Sequence, residues 1–279
     1  MSTENKLAAV IGWPVRQSVS PALHSHWLKQ HGMKGAYIAL PIEPANFGRC
    51  VATLPLMGFA GASVTVPHKE AAFALVSSLD EDSRATGAVN TLVFKDGGVA
   101  GMNTDVRGFA ASLAETLGAD AARKGPAAVL GAGGAARAIV LALQRAGSPE
   151  IRLINRTRSR SDTLARAAGG AVRSVSWGDW KAALNDAALL VNTTSLGMTG
   201  KPPLEIALDH LPSHAAVADI VYNPLETALL RAAKARGHRT MDGLGMLMHQ
   251  AVPAFAAWFG VTPSVTPELR AELQRALGV

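Results

Sequence analysis

Apolar and polar positions alternate along the chain in a way that predicts strands and helices in turn. In the first third, short apolar runs at residues 7–11, 36–40 and 62–66 predict strands, and the stretches 21–31 and 44–57 predict helices. Ser20 is expected to cap the first helix, with Pro21 at its first position. Strands at 88–94 and 99–103 flank the turn sequence Lys95-Asp96-Gly97-Gly98 and predict a hairpin.

A second series of elements follows a helix that begins at Asp105. The small, polar stretch 118–126 predicts a boundary, after which strands are expected at 127–130, 151–154, 172–175, 188–191 and 216–221, with helices between them. Such a strand–helix–strand series implies a parallel sheet with right-handed crossovers. The tail from about Gly243 is expected to be helical. The sequence therefore predicts an α/β protein built from two α/β units.

Composition narrows the class of protein. With 48% hydrophobic and 17% charged residues the chain can bury a core, so disorder is not expected. The single cysteine, Cys50, allows no disulfide within one chain and fits a reducing cytoplasm. Residues 1–6 are polar and do not resemble a signal peptide. Proline and polar residues interrupt the uncharged runs 50–68 and 243–267, so no membrane span is expected.

The net charge of +6 raises the question of an anionic partner. The densest basic stretch is short and consists of Arg152, Arg156, Arg158 and Arg160, without interleaved aromatic residues. Small anionic ligands account for it better than nucleic acid does, and nucleic-acid binding is kept as the weaker alternative. No cluster of His, Cys and carboxylate residues has the spacing of metal ligands, so no metal is expected.

A glycine-rich segment follows the strand predicted at 127–130 and opens a helix. Glycines permit a tight turn and close approach to a pyrophosphate, which the amides and the dipole of the helix N-terminus attract. Alanine stands at 136, where the strict pattern has its third glycine. A tight turn without ligand is the alternative to the dinucleotide-binding loop that we expect from Gly131, Ala132, Gly133, Gly134 and Ala135.

The segment after the next strand indicates which dinucleotide binds. An NAD site usually has an acidic residue about 20 residues beyond the loop, bonded to the ribose 2′-hydroxyl. This chain instead has Asn155-Arg156-Thr157-Arg158-Ser159-Arg160. Guanidinium groups bind a 2′-phosphate through charge-assisted hydrogen bonds, so the sequence favours NADP. A solvated basic loop is the alternative.

Several polar residues are candidates for chemistry, each with a structural alternative. Lys69 is expected at a helix start, where the dipole disfavours a cation by about 0.3–1 kcal/mol, and is a candidate general acid or base. It could equally be an exposed lysine. Asp105 could act as a helix cap. Ser18 shares a strand-to-helix junction with Ser20, and the amide of Asn90 must find partners in an apolar strand.

Together, nine segments in order resemble the motifs of the shikimate dehydrogenase family. They are 12–21, 63–69, 87–92, 101–105, 131–136, 155–157, 192–198, 219–224 and 242–250. The chain departs from the family pattern at Ser63, where a substrate-contacting asparagine is usual, and at His68, where an aromatic residue is common. Ser63 still offers a hydroxyl, and His68 is expected to line the site.

The resemblance implies two domains with different functions, one that binds substrate and one that binds NADP. Residues 1–106 with 244–279 would bind substrate, residues 107–243 would form a Rossmann-type NADP domain, and the C-terminal helices would return to the first domain. Lys69 and Asp105 would be catalytic. Substrate would be held by Ser18, Ser20, Thr65, Asn90, Tyr222 and Gln250. NADP would be held by the glycine loop together with Asn155, Arg156, Thr157, Arg160 and Gly243.

The implied activity is the reversible, NADPH-dependent reduction of 3-dehydroshikimate to shikimate in chorismate and aromatic amino-acid biosynthesis, by a cytoplasmic monomer or homodimer. Two alternatives stay open. A quinate/shikimate dehydrogenase would often use NAD, against which the basic loop argues. A non-catalytic sensor of NADP or shikimate would have no need of an acid/base pair such as Lys69 and Asp105.

Overall fold

The computed structural model describes residues 6–279, so most of the N-terminal segment examined for a signal peptide lies outside the described residues. The chain divides into two compact units. The first contains the residues up to 104 together with 250–279, and the second contains residues 105–249. The assignment of 1–106 with 244–279 to substrate and of 107–243 to cofactor stays a prediction.

The first unit contains a mixed sheet of six strands in the order β2-β1-β3-β5-β6-β4. The strands are β1 (Lys6–Gly12), β2 (Gly35–Pro41), β3 (Phe59–Val64), β4 (Ser78–Leu79), β5 (Thr91–Lys95) and β6 (Gly98–Met102). Strands β1, β2 and β3 are parallel, whereas β5 runs antiparallel to β3 and to β6. The predicted hairpin is confirmed. Asp96 and Gly97 have φ of 53° and 74°, as its two-residue turn requires.

Short helices connect these strands, and two predictions about them are wrong. The helices are α1 (Ser20–Gln30), α2 (Phe47–Thr53), α3 (Lys69–Leu75) and α4 (Glu81–Thr86). The helix predicted at 44–57 is shortened to α2 and flanked by 3₁₀ turns at Pro44–Asn46 and Leu54–Met57. Pro55 has no amide proton, so it cannot continue the α-helical hydrogen bonds of α2. Ser20 does not cap α1; it is the first helical residue, and Val19 occupies the cap position.

The second unit is built on a parallel sheet, as predicted, with the strand order β12-β11-β10-β7-β8-β9. Its strands are β7 (Ala127–Leu130), β8 (Ile151–Ile154), β9 (Val172–Val175), β10 (Leu189–Asn192), β11 (Ala216–Asp219) and β12 (Arg239–Met241). Its helices are α5 (Asp105–Leu117), α6 (Gly134–Arg145), α7 (Arg158–Ala168), α8 (Trp180–Leu184) and α9 (Ala228–Ala235). Buried apolar clusters cover the sheet.

The predicted helical tail consists of α10 (Gly243–Phe259) and α11 (Pro267–Leu277). Residues of α10 from Gln250 onward belong to the first unit, where the indole of Trp258 donates to the carbonyl of Leu92 at 2.8 Å. A Cβ at Gly61 would lie 2.1 Å from the same indole nitrogen, so this strand position requires glycine. Within residues 6–279, no helix combines the length and apolar character needed to cross a membrane.

Candidate active site

The ends of β1 and β3 and the residue before β5 lie side by side in the first unit. The amide of Thr65 donates to the carbonyl of Ile11 at 2.9 Å, and the amide of Val64 donates to that of Asn90 at 2.7 Å. A Cβ at Gly12 would lie 2.5 Å from Cγ2 of Thr65, so glycine allows this close approach. Three segments that are distant in sequence therefore present their side chains at one edge of the sheet.

The buried amide of Asn90 organises this edge. Its Nδ2 donates to Oγ1 of Thr104 and to Oε1 of Gln250, both at 2.9 Å. Its Oδ1 accepts from the amide of Thr104 at 2.8 Å and from the hydroxyl of Thr91 at 3.1 Å. Asn90 and Gln250, two predicted substrate residues, are thus brought together across 160 positions of sequence. Because both Nδ2 protons are used, Asn90 can donate to a ligand only by exchanging one of these bonds.

Thr104 is a member of this cluster that the sequence reasoning missed. Its side chain is buried, and its hydroxyl lies 3.2 Å from Oε1 of Gln250 as well as 2.9 Å from Nδ2 of Asn90. Its position directly before Asp105 in the motif 101–105 was a sequence signal for a role in the site. The sequence did not show where its side chain points, because that direction depends on its hydrogen bonds with Asn90.

The two serines of the first motif also lie together. Oγ of Ser18 donates to Oγ of Ser20 at 3.1 Å and accepts from the amide of Ser20 at 3.3 Å. Ser20 is buried at the start of α1, and Ser18 is half-buried. The structure therefore joins these two predicted substrate residues by their hydroxyl groups.

Lys69 is the first residue of α3, as predicted, and its side chain is half-buried. Its carbonyl accepts from the amide of Val89 at 3.0 Å, which fixes its backbone beside the residue that precedes Asn90. Asp105 is buried at the start of α5 in the second unit. Tyr222, in the segment after β11, is half-buried in the same unit. The catalytic and substrate-binding roles of these residues stay predictions.

The prediction that His68 lines the site is wrong. Its ring is buried and stacks on that of Phe47, with centroids 4.6 Å apart and an interplanar angle of 7°. Its Nε2 is 2.8 Å from the carbonyl of Ile42, and burial lowers its pKa. Sequence position alone did not show that this side chain turns into the core.

The glycine-rich loop in the second unit has the geometry of an anion-binding turn. Gly131 has φ of 112°, and a Cβ there would lie 2.6 Å from Oγ1 of Thr193. Gly133 is the N-cap residue of α6 and, having no side chain, makes no cap hydrogen bond to the first turn. A Cβ at Gly133 would meet no described atom within 4 Å, so its outer side is open. The amides of this turn and the helix dipole therefore suit a phosphate group.

The basic loop after β8 divides into residues with different tasks. Nδ2 of Asn155 donates to the carbonyl of Thr157 at 2.8 Å and so shapes the turn before α7. Arg156 and Arg160 are exposed. Arg158, in contrast, donates to Asp162 at 2.8 Å and to the hydroxyl of Ser176 at 2.5 Å. Arg158 is thus a weaker candidate for phosphate binding than Arg156, and the cofactor roles of Arg156 and Arg160 stay predictions.

Arg152, the first residue of the basic stretch, has a structural role. Its buried guanidinium donates to Glu150 at 2.9 Å and also to Asp186. These two carboxylates compensate its charge, so it adds little to the attraction of an anionic ligand.

A second buried polar network, which sequence reasoning missed, lies at the carboxyl ends of β10 and β11. The carboxylate of Asp219 accepts from Nδ2 of Asn192 at 3.0 Å, from the amide of Val221 at 3.0 Å and from the hydroxyl of Thr227 at 2.8 Å. Oδ1 of Asn192 in turn accepts from the amide of Thr194 at 3.0 Å. The network fixes the segments after both strands. Asn192 and Asp219 begin two of the segments that resemble family motifs, 192–198 and 219–224, but neither segment shows that the two side chains meet.

Burial changes the acid strength of this carboxyl group. Desolvation raises the pKa of Asp219 to about 6, and the three hydrogen bonds oppose that shift only in part. Because the group is buried in the folded chain, its protonation is coupled to stability.

Gly243 lies beside the segment after β11 at the start of α10. Its amide donates to the carbonyl of Val221 at 3.2 Å, and a Cβ there would lie 2.1 Å from the carbonyl oxygen of Ile220. Close backbone packing accounts for glycine at this position, and its predicted contact with a cofactor stays a prediction. Among residues 6–279, no three His, Cys, Asp or Glu side chains are grouped so as to hold a metal ion.

Comparison with known families covers both units. Residues 10–92 match the family model described as the shikimate dehydrogenase substrate binding domain, and residues 112–199 match the model described as shikimate / quinate 5-dehydrogenase. The chain is 54% identical over 272 residues to a protein of Paramagnetospirillum magneticum and 56% identical over 269 residues to one of Acidiphilium cryptum. The alignments cover 97% of this chain and 99% of the first relative, and 96% of both chains for the second. Both relatives are named shikimate dehydrogenase (NADP(+)).

Solved structures show the same fold. Shikimate 5-dehydrogenase of Thermus thermophilus in complex with NADP(H) and shikimate superimposes with a TM-score of 0.85 at 36% identity, covering 98% of each chain. Quinate dehydrogenase of Corynebacterium glutamicum in complex with NAD superimposes with a TM-score of 0.88 at 30% identity, covering 97% of this chain and 99% of that one. The second structure keeps the quinate alternative relevant.

We predict that the stability contribution of Asp219 depends on pH. Its pKa is about 6 in the folded chain against an ordinary value of 3.8, so the contribution is fully present below about pH 4 and is lost as the pH rises through 6. Relative to that of Asp219→Asn, the wild-type free energy of unfolding should therefore be about 1–2 kcal/mol larger at about pH 5 than at about pH 8, so the wild type is more stabilised at the lower pH. Urea unfolding of both proteins at both pH values measures this difference. An unchanged difference would show that Asp219 is already ionised in the folded chain at the lower pH.

Proposed function

The chain belongs to the shikimate dehydrogenase family, and on that premise we propose that it catalyses the reversible, NADPH-dependent reduction of 3-dehydroshikimate to shikimate, a step of chorismate and aromatic amino-acid biosynthesis. The observation that carries the proposal is the bond between Asn90 and Gln250. It brings the tail helix to the strand ends that bear Thr65 and Lys69.

The first unit supplies a set of groups suited to a small polyhydroxylated carboxylate. Hydroxyl groups both donate and accept hydrogen bonds, and the amides of Asn90 and Gln250 do the same. A site built from such groups discriminates strongly against analogues that lack a matching hydroxyl, because its buried polar atoms would then lose their partners. We assign substrate binding to Ser18, Ser20, Thr65, Asn90 and Gln250, with Tyr222 of the second unit as a further contact.

Reduction of a ketone needs a proton donor and a positive charge near the oxygen. Bound NADPH supplies the hydride. The ammonium group of Lys69 supplies the charge, which stabilises the alkoxide-like transition state, and can donate the proton to the oxygen. The carboxylate of Asp105 orients a substrate hydroxyl by accepting its proton in a hydrogen bond. In the reverse direction, Lys69 accepts the proton that the alcohol loses.

The second unit supplies the groups that hold NADP. Residues 131–135 and the N-terminus of α6 suit the pyrophosphate, since the N-cap residue Gly133 has no side chain to bond the amides of the first turn. Arg156 and Arg160 suit the 2′-phosphate, with Asn155 and Thr157 shaping and completing the loop. We place Gly243 at the edge of the same site.

The main alternative is a quinate/shikimate dehydrogenase that uses NAD. The exposed Arg156 and Arg160 argue for NADP, because they provide positive charge where an NAD site would carry a carboxylate. A non-catalytic sensor is disfavoured because Lys69 and Asp105 are both present. The enzyme we propose acts in the cytoplasm, as a monomer or homodimer.

The function and the cofactor can be tested in one assay. We expect the purified protein to oxidise shikimate with NADP much faster than with NAD and to act poorly on quinate. Arg156→Ala should lower kcat/KM for NADP by a factor that corresponds to about 1.5–3 kcal/mol of lost transition-state stabilisation, as for a hydrogen bond to a charged group. The value of kcat/KM for NAD should stay unchanged. The measurement is kcat/KM from NADPH absorbance.

Arg158→Ala is the matched control for this substitution. It removes the same charge from the same loop, but the Arg158 guanidinium pairs with Asp162, so NADP use should change less than with Arg156→Ala. Equal wild-type efficiency with NAD and NADP, or equal losses in the two variants, would contradict the assignment of the 2′-phosphate site.

The role of Lys69 can be separated from simple binding. Lys69→Ala should lower kcat by about 10²–10⁴-fold, the usual range for general acid–base catalysis, with a much smaller change in the KM for shikimate. Asp105→Asn should also lower kcat. Melting curves must show that each variant is folded, since Asp105 begins a helix.

Lys69→Arg tests whether residue 69 must transfer a proton or need only carry a positive charge. It retains the positive charge, but a guanidinium is a very weak acid, so kcat should stay far below the wild-type value. A folded Lys69→Ala protein with wild-type turnover would remove the mechanism and leave the family assignment intact.

A further inference from the structure

Ser63 lies beside the Asn90 cluster on the sheet of the first unit. Ser63 is the second-last residue of β3 and stands two positions before the predicted substrate residue Thr65, which directly follows the strand. The partner of Ser63 in the neighbouring strand β5 is Thr91, and the Thr91 hydroxyl is 3.1 Å from Oδ1 of Asn90. Ser63 is half-buried and is therefore not sealed inside the core.

The hydroxyl of Tyr37 donates to Oγ of Ser63 at 2.8 Å. Tyr37 is on β2, separated from β3 by β1, and its ring spans that distance from a fixed position. The ring is only 4% exposed and stacks on that of His24, with centroids 4.0 Å apart and an interplanar angle of 13°. His24 also packs at ring distances of 5.8 and 5.9 Å against Trp27 and Phe255. The phenol group is thus held by a rigid aromatic cluster.

The direction of this hydrogen bond determines what Ser63 can do. A serine hydroxyl carries one proton, and an oxygen that accepts from Tyr37 keeps that proton for another acceptor. Its neighbour Asn90 has already committed both Nδ2 protons to Thr104 and Gln250. A ligand hydroxyl beside Thr65 therefore finds in Ser63 a donor whose orientation is set by Tyr37.

We propose that Tyr37 is a positioning residue for substrate binding. It orients the Ser63 hydroxyl, which donates a hydrogen bond to one ring hydroxyl of shikimate. Tyr37 itself takes no part in the chemical step. The proposal rests on the proposed function, because it requires shikimate to bind at the strand ends of the first unit. Tyr37 contributes to the affinity for substrate only through Ser63.

A double-mutant cycle with Tyr37→Phe and Ser63→Ala tests this dependence. Phenylalanine keeps the ring that stacks on His24 and removes only the hydroxyl. Tyr37→Phe should raise both the dissociation constant and the KM for shikimate by about 3- to 10-fold, the range for a neutral hydrogen bond, and leave kcat and the KM for NADP within about 2-fold. Ser63→Ala should have at least the same effect, and the double variant should be no worse than Ser63→Ala.

A merely structural role for Tyr37 predicts a different pattern. The effect of Tyr37→Phe on shikimate affinity would then be absent or would multiply with that of Ser63→Ala, whereas a lower melting temperature follows from loss of the hydrogen bond under both accounts. Either of these results for the affinity overturns the proposal. Shikimate affinity is measured by calorimetry as well as by kinetics. A wild-type protein that binds shikimate but does not turn it over would refute the proposed activity, and the calorimetric cycle would still test the role of Tyr37. A wild-type protein that does not bind shikimate overturns both.

Shikimate analogues that each lack one ring hydroxyl identify the acceptor. One analogue should bind equally well to the wild type and to Ser63→Ala, because the bond in question is absent from both complexes. If Ser63→Ala weakened the binding of every analogue by the same factor as that of shikimate, Ser63 would not donate to a ring hydroxyl, and the proposal would be wrong.

Discussion

The hydrogen-bonding requirement of one buried amide, that of Asn90, shapes the first unit. A buried polar group left without partners costs about 1–3 kcal/mol, so Asn90 has to be placed where Thr104 and Gln250 can both reach it. This requirement ties the end of the hairpin to a helix 160 residues later and makes the unit discontinuous in sequence. It also places Thr65 and Lys69 beside the same cluster, so the interaction that closes the fold brings together residues to which we assign substrate binding and catalysis.

In the second unit a buried carboxylate, that of Asp219, has a similar requirement for hydrogen-bond partners. Asp219 holds the segments after β10 and β11 through its hydrogen bonds with Asn192, Val221 and Thr227. Of these strands, β10 is the neighbour of β7, which leads into the glycine loop. In both units a buried polar group at the strand ends determines the course of the loops, while apolar layers determine the sheets. Binding residues therefore rest on rigid elements, although they lie at the ends of those elements.

Local patterns predicted most of this fold, and long-range contacts account for what they missed. The strands at 127–130, 151–154 and 172–175 were predicted at their observed bounds, because each is a short segment that begins and ends with an apolar residue. Asp162 lies four residues after Arg158 in α7, so that pair follows a local helical pattern. The contact of Arg158 with Ser176 and the stacking of His68 on Phe47 join different elements, so no local pattern could show them. Thr104, Asn192 and Asp219 were missed for the same reason.

The central claim is that the Asn90 cluster of the first unit binds the substrate, whereas residues of the second unit hold the cofactor. Calorimetry on Gln250→Ala tests it most directly, because Gln250 is distant in sequence from the glycine loop and belongs to the first unit. The account predicts that shikimate binds about 10-fold or more weakly, as after loss of one or two hydrogen bonds, and that NADP binds as it does to the wild type. Loss of NADP affinity, or unchanged shikimate affinity in a folded variant, would contradict it.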